Sequence, residues 1–218
     1  MKKHGQVSFT FDGEGASAPS LYFFEGELRS RGYLLIAGLD EVGRGPLAGP
    51  VVAGCVMLPP GHEIPGVNDS KKLSEAKRDR LCKVICREAQ DYGVGIVEAD
   101  EIDRINILEA TKKAMLLAIE DLRYKPDHLL IDALTLNLNI AQTPLIKGDS
   151  RSASIAAASI LAKVTRDRIM VGLSHRYPEY GFERHKGYGC ESHMEAIRRH
   201  GPCPAHRRSF RGVVNKDG

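Results

Sequence analysis

No apolar run in this chain approaches the roughly 20 residues needed to span a bilayer, so nothing in it reads as a transmembrane helix. The basic start, Met1-Lys2-Lys3-His4, leads into Gly, Gln, Ser, Asp and Glu instead of an apolar core segment, so it does not read as a secretory signal. The expectation is a cytoplasmic protein. There is no Cys-x-x-Cys pair, and the five cysteines are odd in number and scattered, which argues for reduced thiols over a disulfide framework. Cys82 and Cys86, four apart on an expected helix, fit a half-buried helix face better than a zinc site, for which they would need two more ligands. Walker A motifs, internal repeats and low-complexity tracts are absent as well.

What the chain does have is the composition of an ordinary globular domain, 42% hydrophobic and 27% charged over 218 residues. The net charge of +3 conceals a division: residues 147–218 carry 14 Lys+Arg against 7 Asp+Glu, and residues 1–146 carry 17 against 21. A basic C-terminal third beside an acid-bearing remainder suits a polyanionic partner, although a solvated basic surface would look the same.

Residues 1–19 are polar and small, and are expected as a loose arm ahead of one domain over 20–218. A short helix is expected over 20–30. Apolar runs at 33–41 and 51–58, joined by a Gly/Pro-rich turn, predict two antiparallel strands at the centre of a sheet. Helical spacing follows over 74–89, with Ser74 as N-cap, then a strand over 93–98 and one long helix over 101–123. Strands at 128–134 and 143–146, a helix over 152–174 rich in Ala and Ser, and a short helix over 191–199 complete a mixed α/β sheet with helices on its faces.

Four acids stand where a core-seeking sequence would not put them. Asp40 and Glu41 close the first strand, Asp132 is embedded in an apolar strand, and Asp149 precedes a helix. Clustered carboxylates either share protons or bind a hard cation, and magnesium or manganese is the natural choice. Asp149 could equally be a turn or N-cap residue, and Asp40 and Glu41 could mark a strand emerging into solvent. The turn after them, Gly43-Arg44-Gly45 and then Gly49, misses the dinucleotide fingerprint by one position and runs into a strand where that fingerprint needs a helix. Its glycines allow main-chain groups to come close to a ligand.

At this point the residues resemble a family. Asp-Glu-Val-Gly-Arg-Gly-Pro-Leu-Ala-Gly-Pro (40–50), Asn-Asp-Ser-Lys-Lys-Leu (68–73), Ile-Asp-Ala (131–133), the run from Lys147 to Val164, Lys-Gly-Tyr-Gly (186–189) and His-Arg-Arg-Ser-Phe (206–210) resemble the signature blocks of bacterial ribonuclease HII. They stand in the family's order and cover about residues 20–212. The resemblance implies an RNase H-like fold, a five-stranded mixed β-sheet flanked by α-helices, with a C-terminal helical portion at about 176–218. It implies an endonuclease that cuts the RNA strand of RNA/DNA hybrids and incises duplex DNA at single ribonucleotides, using two Mg2+ or Mn2+ ions and leaving 5′-phosphate and 3′-hydroxyl ends; a monomer is expected, though nothing in the sequence reveals the oligomeric state.

Carried over position by position, Asp40, Glu41, Asp132 and Asp149 match the family's metal-binding catalytic carboxylates. Gly43, Arg44 and Gly45 match the loop that recognises the ribose 2′-OH, and Tyr188 matches the tyrosine that packs on the neighbouring deoxyribose. Lys71, Lys72, Lys147, Ser150 and Lys163 lie beside the blocks and could contact phosphates, though for any one lysine a solvated position fits as well. His185, His193, His200 and His206 lack a compact metal spacing, and His206 with Arg207–Arg211 suits fold closure and backbone binding. Ribonuclease HIII, a related family, normally adds an N-terminal substrate-binding domain, for which the 39 residues before Asp40 leave no room, and typically has Glu where Asp149 stands. A silent hybrid-binding module is the alternative from another class, but its acids would only repel phosphates.

Overall fold

The structure, a computed structural model, describes residues 20–67 and 73–214. The expected arm over 1–19 and the candidate residues Lys71 and Lys72 lie outside the described residues.

The sheet has five strands in the order β3-β2-β1-β4-β5. They are β1 (Ile36–Val42), β2 (Val51–Met57), β3 (Asp91–Val97), β4 (His128–Asp132) and β5 (Ala141–Leu145). β1 runs antiparallel to β2 and β2 to β3, whereas β1 with β4 and β4 with β5 are parallel. The expected antiparallel pair of β1 and β2 therefore lies inside the sheet. β5 is an edge strand, the position in which Pro144 loses no ladder bond it would need.

Helices cover both faces. α1 (Phe23–Ser30) precedes the sheet, and α2 (Glu75–Glu88) follows β2, its start capped by the Ser74 side chain accepting from the Lys77 N–H. The single helix expected over 101–123 is instead two, α3 (Ala99–Ile105) and α4 (Ile107–Glu120). Asn106 between them has φ 70°, and its side-chain oxygen accepts from the N–H groups of Leu108 and Glu109 at 2.9 and 3.2 Å. An Asn with positive φ and extended ψ ends one helix and caps the next without disturbing the apolar periodicity on either side, so the period alone could not reveal the break.

The long helix α5 (Ala153–Arg176) lies against β1 and β2, and α6 (Phe182–His185) and α7 (Glu191–His200) follow it. One core cluster joins α5, α2 and Val56, and a second, on the opposite sheet face, joins α4 to Ala37, Leu39, Ala53 and Cys55. A third, smaller cluster unites Ala48 with Met170, Tyr180, Phe182 and Ile197, tying the C-terminal helices to the turn after β1. Cys82 is buried and Cys86 half-buried on the inner side of α2, as the helix-face reading expected.

Close approach of α5 to the sheet depends on glycine. A Cβ built at Gly38 would lie 2.2 Å from the Ser154 backbone carbon, and one at Gly54 would lie 2.4 Å from Ala158 O. Backbone atoms cannot step aside as a flexible side chain can. Gly38→Ala is therefore expected to destabilise the fold by about 3 kcal/mol, read as a lower urea midpoint with an unchanged slope. The helix start is held from elsewhere in the chain: buried Glu25 of α1 accepts from the Ser154 N–H and from the hydroxyls of Ser152 and Ser154 at 2.6–2.9 Å.

Candidate active site

Parallel register brings three of the acids to one end of the sheet. Leu39 of β1 is paired with Ile131 of β4, so Asp40 and Asp132, each the next residue, stand at the same level. Asp132 is in turn paired with Leu145 of β5, and the one-turn 3-10 helix Gly148–Ser150 carries Asp149 at that same end. Ligand sites of open α/β sheets form outside the carboxyl ends of parallel strands, where loops can diverge.

The acids are held by short local bonds. The Glu41 N–H donates to Asp40 Oδ1 at 2.8 Å, and the Gly148 N–H donates to Asp132 Oδ1 at 2.7 Å. Asp40 and Asp149 are buried, 5% and 6% exposed, whereas Asp132 and Glu41 are half-buried. Burial pushes the Asp40 carboxyl up to about 8; the Ser159 hydroxyl of α5 opposes this by hydrogen bonding to it, and the charges of Glu41 and Asp132 add to it. Glu41 is raised too, first by burial and further by Asp132, with Arg44 pulling it back down through an ion pair at 3.2 Å. Among the described residues no three His, Cys, Asp or Glu side chains converge tightly enough to hold a metal by themselves. The four acids form an open row, in which Arg44 is the cation paired with Glu41.

The turn after β1 wraps around two guanidinium groups. Arg166 of α5 and Arg207 are both fully buried. Arg207 donates to Gly43 O at 2.5 Å, Arg44 O at 3.0 Å and Gly49 O at 2.8 and 3.0 Å. Arg166 donates to Pro50 O at 2.9 Å, Ala48 O at 3.0 Å and Lys186 O at 2.9 Å. Burial, with Arg166 adding its like charge, pushes Arg207 down to about 9. Gly43 has φ 92°, and a Cβ there would lie 2.3 Å from Arg166 Nε and 2.7 Å from Pro50 O, so this position excludes every other residue.

Tyr188 is brought to the same place from far along the chain. A Cβ at Gly45 would sit 3.8 Å from Tyr188 Cε1, and the tyrosine is 48% exposed. The turn that carries it is anchored by the Leu47 N–H donating to Gly187 O at 2.8 Å. Beneath it His193 Nδ1 lies 2.9 Å from Tyr188 O, and its Nε2 lies 3.0 Å from His206 Nε2. A carbonyl only accepts, so His193 donates from Nδ1; His206 then donates from Nε2 and takes the Cys203 N–H on its Nδ1 at 3.0 Å. Burial lowers both histidines, so the pair is neutral at pH 7 and needs no metal.

The remaining candidates divide. Lys147, with φ 55°, and Ser150 are exposed beside Asp149, and the Ser150 hydroxyl donates to Lys147 O at 2.9 Å. Lys163 is turned away to an ion pair with Asp167 at 2.7 Å. Sequence reasoning passed over Arg166 and Ser159 because an Ala-rich helix gives no hint of which polar residue faces inward, and it read Arg207 as serving fold closure and backbone binding, with no sign that it is buried beneath the glycine loop.

The structural comparisons define the class. A ribonuclease H2 from Pyrococcus horikoshii OT3 matches with a TM-score of 0.69 at 30% identity over 82% of this chain and 94% of that one. A single-residue variant of Bst-RNase HIII matches at a TM-score of 0.70 and 20% identity over 94% of this chain and 74% of that one, a likeness of fold alone. The fold is RNase H-like and the protein is a ribonuclease H of type 2. At the level of sequence, the family model described as Ribonuclease HII matches residues 37–213. The chain is 59% identical over 192 residues to a ribonuclease HII of Clostridioides difficile, covering 88% of this chain and 75% of that protein. It is 58% identical over 196 residues to one from Geotalea uraniireducens, covering 89% and 91%. The chain belongs to the ribonuclease HII family.

Proposed function

We propose that the chain hydrolyses the RNA strand of RNA/DNA hybrids and also incises duplex DNA at single embedded ribonucleotides, leaving 5′-phosphate and 3′-hydroxyl ends. The observation that carries this reading is the adjacency of acids and glycine loop: Asp40 and Glu41 stand just before Val42, the last residue of β1, Gly43–Gly45 follow it directly, and Tyr188 stands against Gly45. A 2′-OH distinguishes RNA from DNA and can both donate and accept, which suits close main-chain groups. Tyr188 offers an exposed ring face for the neighbouring deoxyribose, so shape is checked on one side of the junction and the hydroxyl on the other. Arg44 and Lys147 supply donors to phosphates, which fix the duplex in register without reading its sequence; Ser150 would join them only by turning its hydroxyl away from Lys147 O.

Asp40, Glu41, Asp132 and Asp149 would hold two divalent ions, Mg2+ or Mn2+. The donors fit: they are hard oxygens, and the raised carboxyls of Asp40 and Glu41 are those of acids lacking a full counter-charge. An open row also fits ions that take part of their coordination from substrate phosphate and water. When bound, such a pair supplies Lewis-acid stabilisation of the attacking and departing oxygens of an in-line displacement. The chain itself holds the row in place through the Gly148 and Glu41 N–H groups and the Ser159 hydroxyl. It would act in the cytoplasm as a monomer. No helix among the described residues is long and apolar enough to cross a membrane.

The test offers three duplexes, one with a single ribonucleotide in DNA, one with an all-RNA strand and one of DNA alone, each with magnesium, manganese or chelator. Cleavage of the first two with either metal, none of the third and none in chelator is expected. Comparable cutting of the all-DNA duplex would overturn the role given to Gly43–Gly45.

A further inference from the structure

Two guanidinium groups buried side by side, with Asp167 and Asp103 acting on them only at a distance and no carboxylate hydrogen-bonded to either among the described residues, are an expensive arrangement, because each loses its hydration and repels the other. The hydrogen bonds that hold Arg166 and Arg207 all run to main-chain carbonyls. Those carbonyls belong to Gly43, Arg44, Ala48, Gly49, Pro50 and Lys186, that is, to the glycine loop and to the residue that opens the Tyr188 turn. None of the loop's backbone hydrogen bonds among the described residues uses the N–H of Gly43, Arg44 or Gly45. Drawing the carbonyls inward leaves these amides free to face a ligand. Arg166 alone bonds to both segments, through Ala48 and Pro50 on one side and Lys186 on the other.

We propose that Arg166 and Arg207 are positioning residues for sugar recognition: together they hold the Gly43–Gly45 main chain and the Tyr188 turn at one fixed separation, which sets the choice of ribose over deoxyribose. This rests on the reading that those two segments recognise the RNA-to-DNA junction. Lysine cannot replace either arginine, since a single ammonium on a flexible stem cannot hold three carbonyls in a planar fork. The two arginines do different parts of the work. Arg207 shapes the loop, so its loss disturbs recognition of every ribose. Arg166 sets the loop against Tyr188, so its loss falls chiefly on substrates that need the ring, those with a deoxyribose beside the ribose.

The experiment measures kcat and KM separately for R166K and R207K on the single-ribonucleotide duplex and on the all-RNA hybrid, with melting temperatures and a Tyr188→Ala background. Both variants are expected to raise KM on the single-ribonucleotide duplex by about tenfold with kcat within about threefold. R207K should also raise KM on the all-RNA hybrid, whereas R166K should spare it and should add little once Tyr188 is Ala. A purely structural role predicts instead a lower melting temperature with unchanged KM on both substrates, and that result would overturn the inference. Failure of both lysine variants to fold at the assay temperature would likewise reduce the arginines to stability and overturn it. If the parent enzyme itself cuts all-DNA duplex, the ribose reading falls first, and the arginine result is not needed to show it.

Discussion

Asp132→Asn is expected to give a folded protein that binds hybrid duplex normally and cleaves it about a thousandfold more slowly. Asp132 ends β4, is half-buried, and uses Oδ1 to accept the Gly148 N–H. An asparagine can keep that hydrogen bond through its own carbonyl oxygen, so the turn bearing Asp149 stays where it is. What disappears is the negative charge, and with it a hard-oxygen ligand that a divalent ion requires. Single-turnover cleavage set beside fluorescence anisotropy of duplex binding separates the two quantities. Full activity of the variant with magnesium would remove Asp132 from the chemistry.

Asp40→Asn is expected to stabilise the metal-free protein while abolishing its activity. Burial has lifted the Asp40 carboxyl from 3.8 to about 8. Between those two values the folded state holds a proton that the unfolded chain has released, so this group makes stability fall as pH rises across that window. Above it the folded state carries an uncompensated buried charge, a penalty on the order of a few kcal/mol. Glu41 is raised as well and contributes in the same direction. Other carboxylates titrate in both proteins alike, so the informative quantity is the difference between parent and variant. Urea midpoints in chelator should coincide near pH 4 and separate by pH 8.5 in favour of the asparagine variant. Magnesium should close the gap by supplying the missing counter-charge to the parent alone. Equal midpoints at pH 8.5 in chelator would mean that Asp40 is not strained by its surroundings.

Much of this site is legible in the sequence, for a physical reason. An apolar strand that ends in two adjacent acids and runs into glycines advertises both a buried charge and an unusual backbone, and Asp40, Glu41 and Gly43 carry those two signals within four residues. Asp132 is visible because acids are depleted inside strands. Its true place is the last residue of β4, where the next residue, Ala133, already turns to φ 51°. The strand pairing is legible from apolar runs, and the parallel register that levels Asp132 with Asp40 is not, because register depends on partners far apart in the chain. The break at Asn106 escapes notice because the apolar stripe continues through it. Arg166 and Arg207 are obscured by their type, since arginine is read as surface unless its burial is seen. Lys163 stands beside the right motif, yet an acid one helical turn away, Asp167, takes its charge.

The division of charge also gains a location. The basic excess of residues 147–218 includes the two buried arginines, so part of it serves the interior beneath the Gly43–Pro50 loop and not the solvent-facing surface. A salt titration of binding should accordingly give a slope smaller than the count of basic residues in that third suggests, since only solvent-facing cations release counterions from DNA.

Asp40, Glu41, Asp132 and Asp149 are proposed to hold divalent ions beside Gly43–Gly45. Anomalous diffraction from manganese-soaked crystals tests it most directly. A manganese peak is expected within about 2.1 Å of carboxylate oxygens from this set, close to Gly43. Manganese peaks elsewhere, with all four carboxylates unliganded, would contradict it.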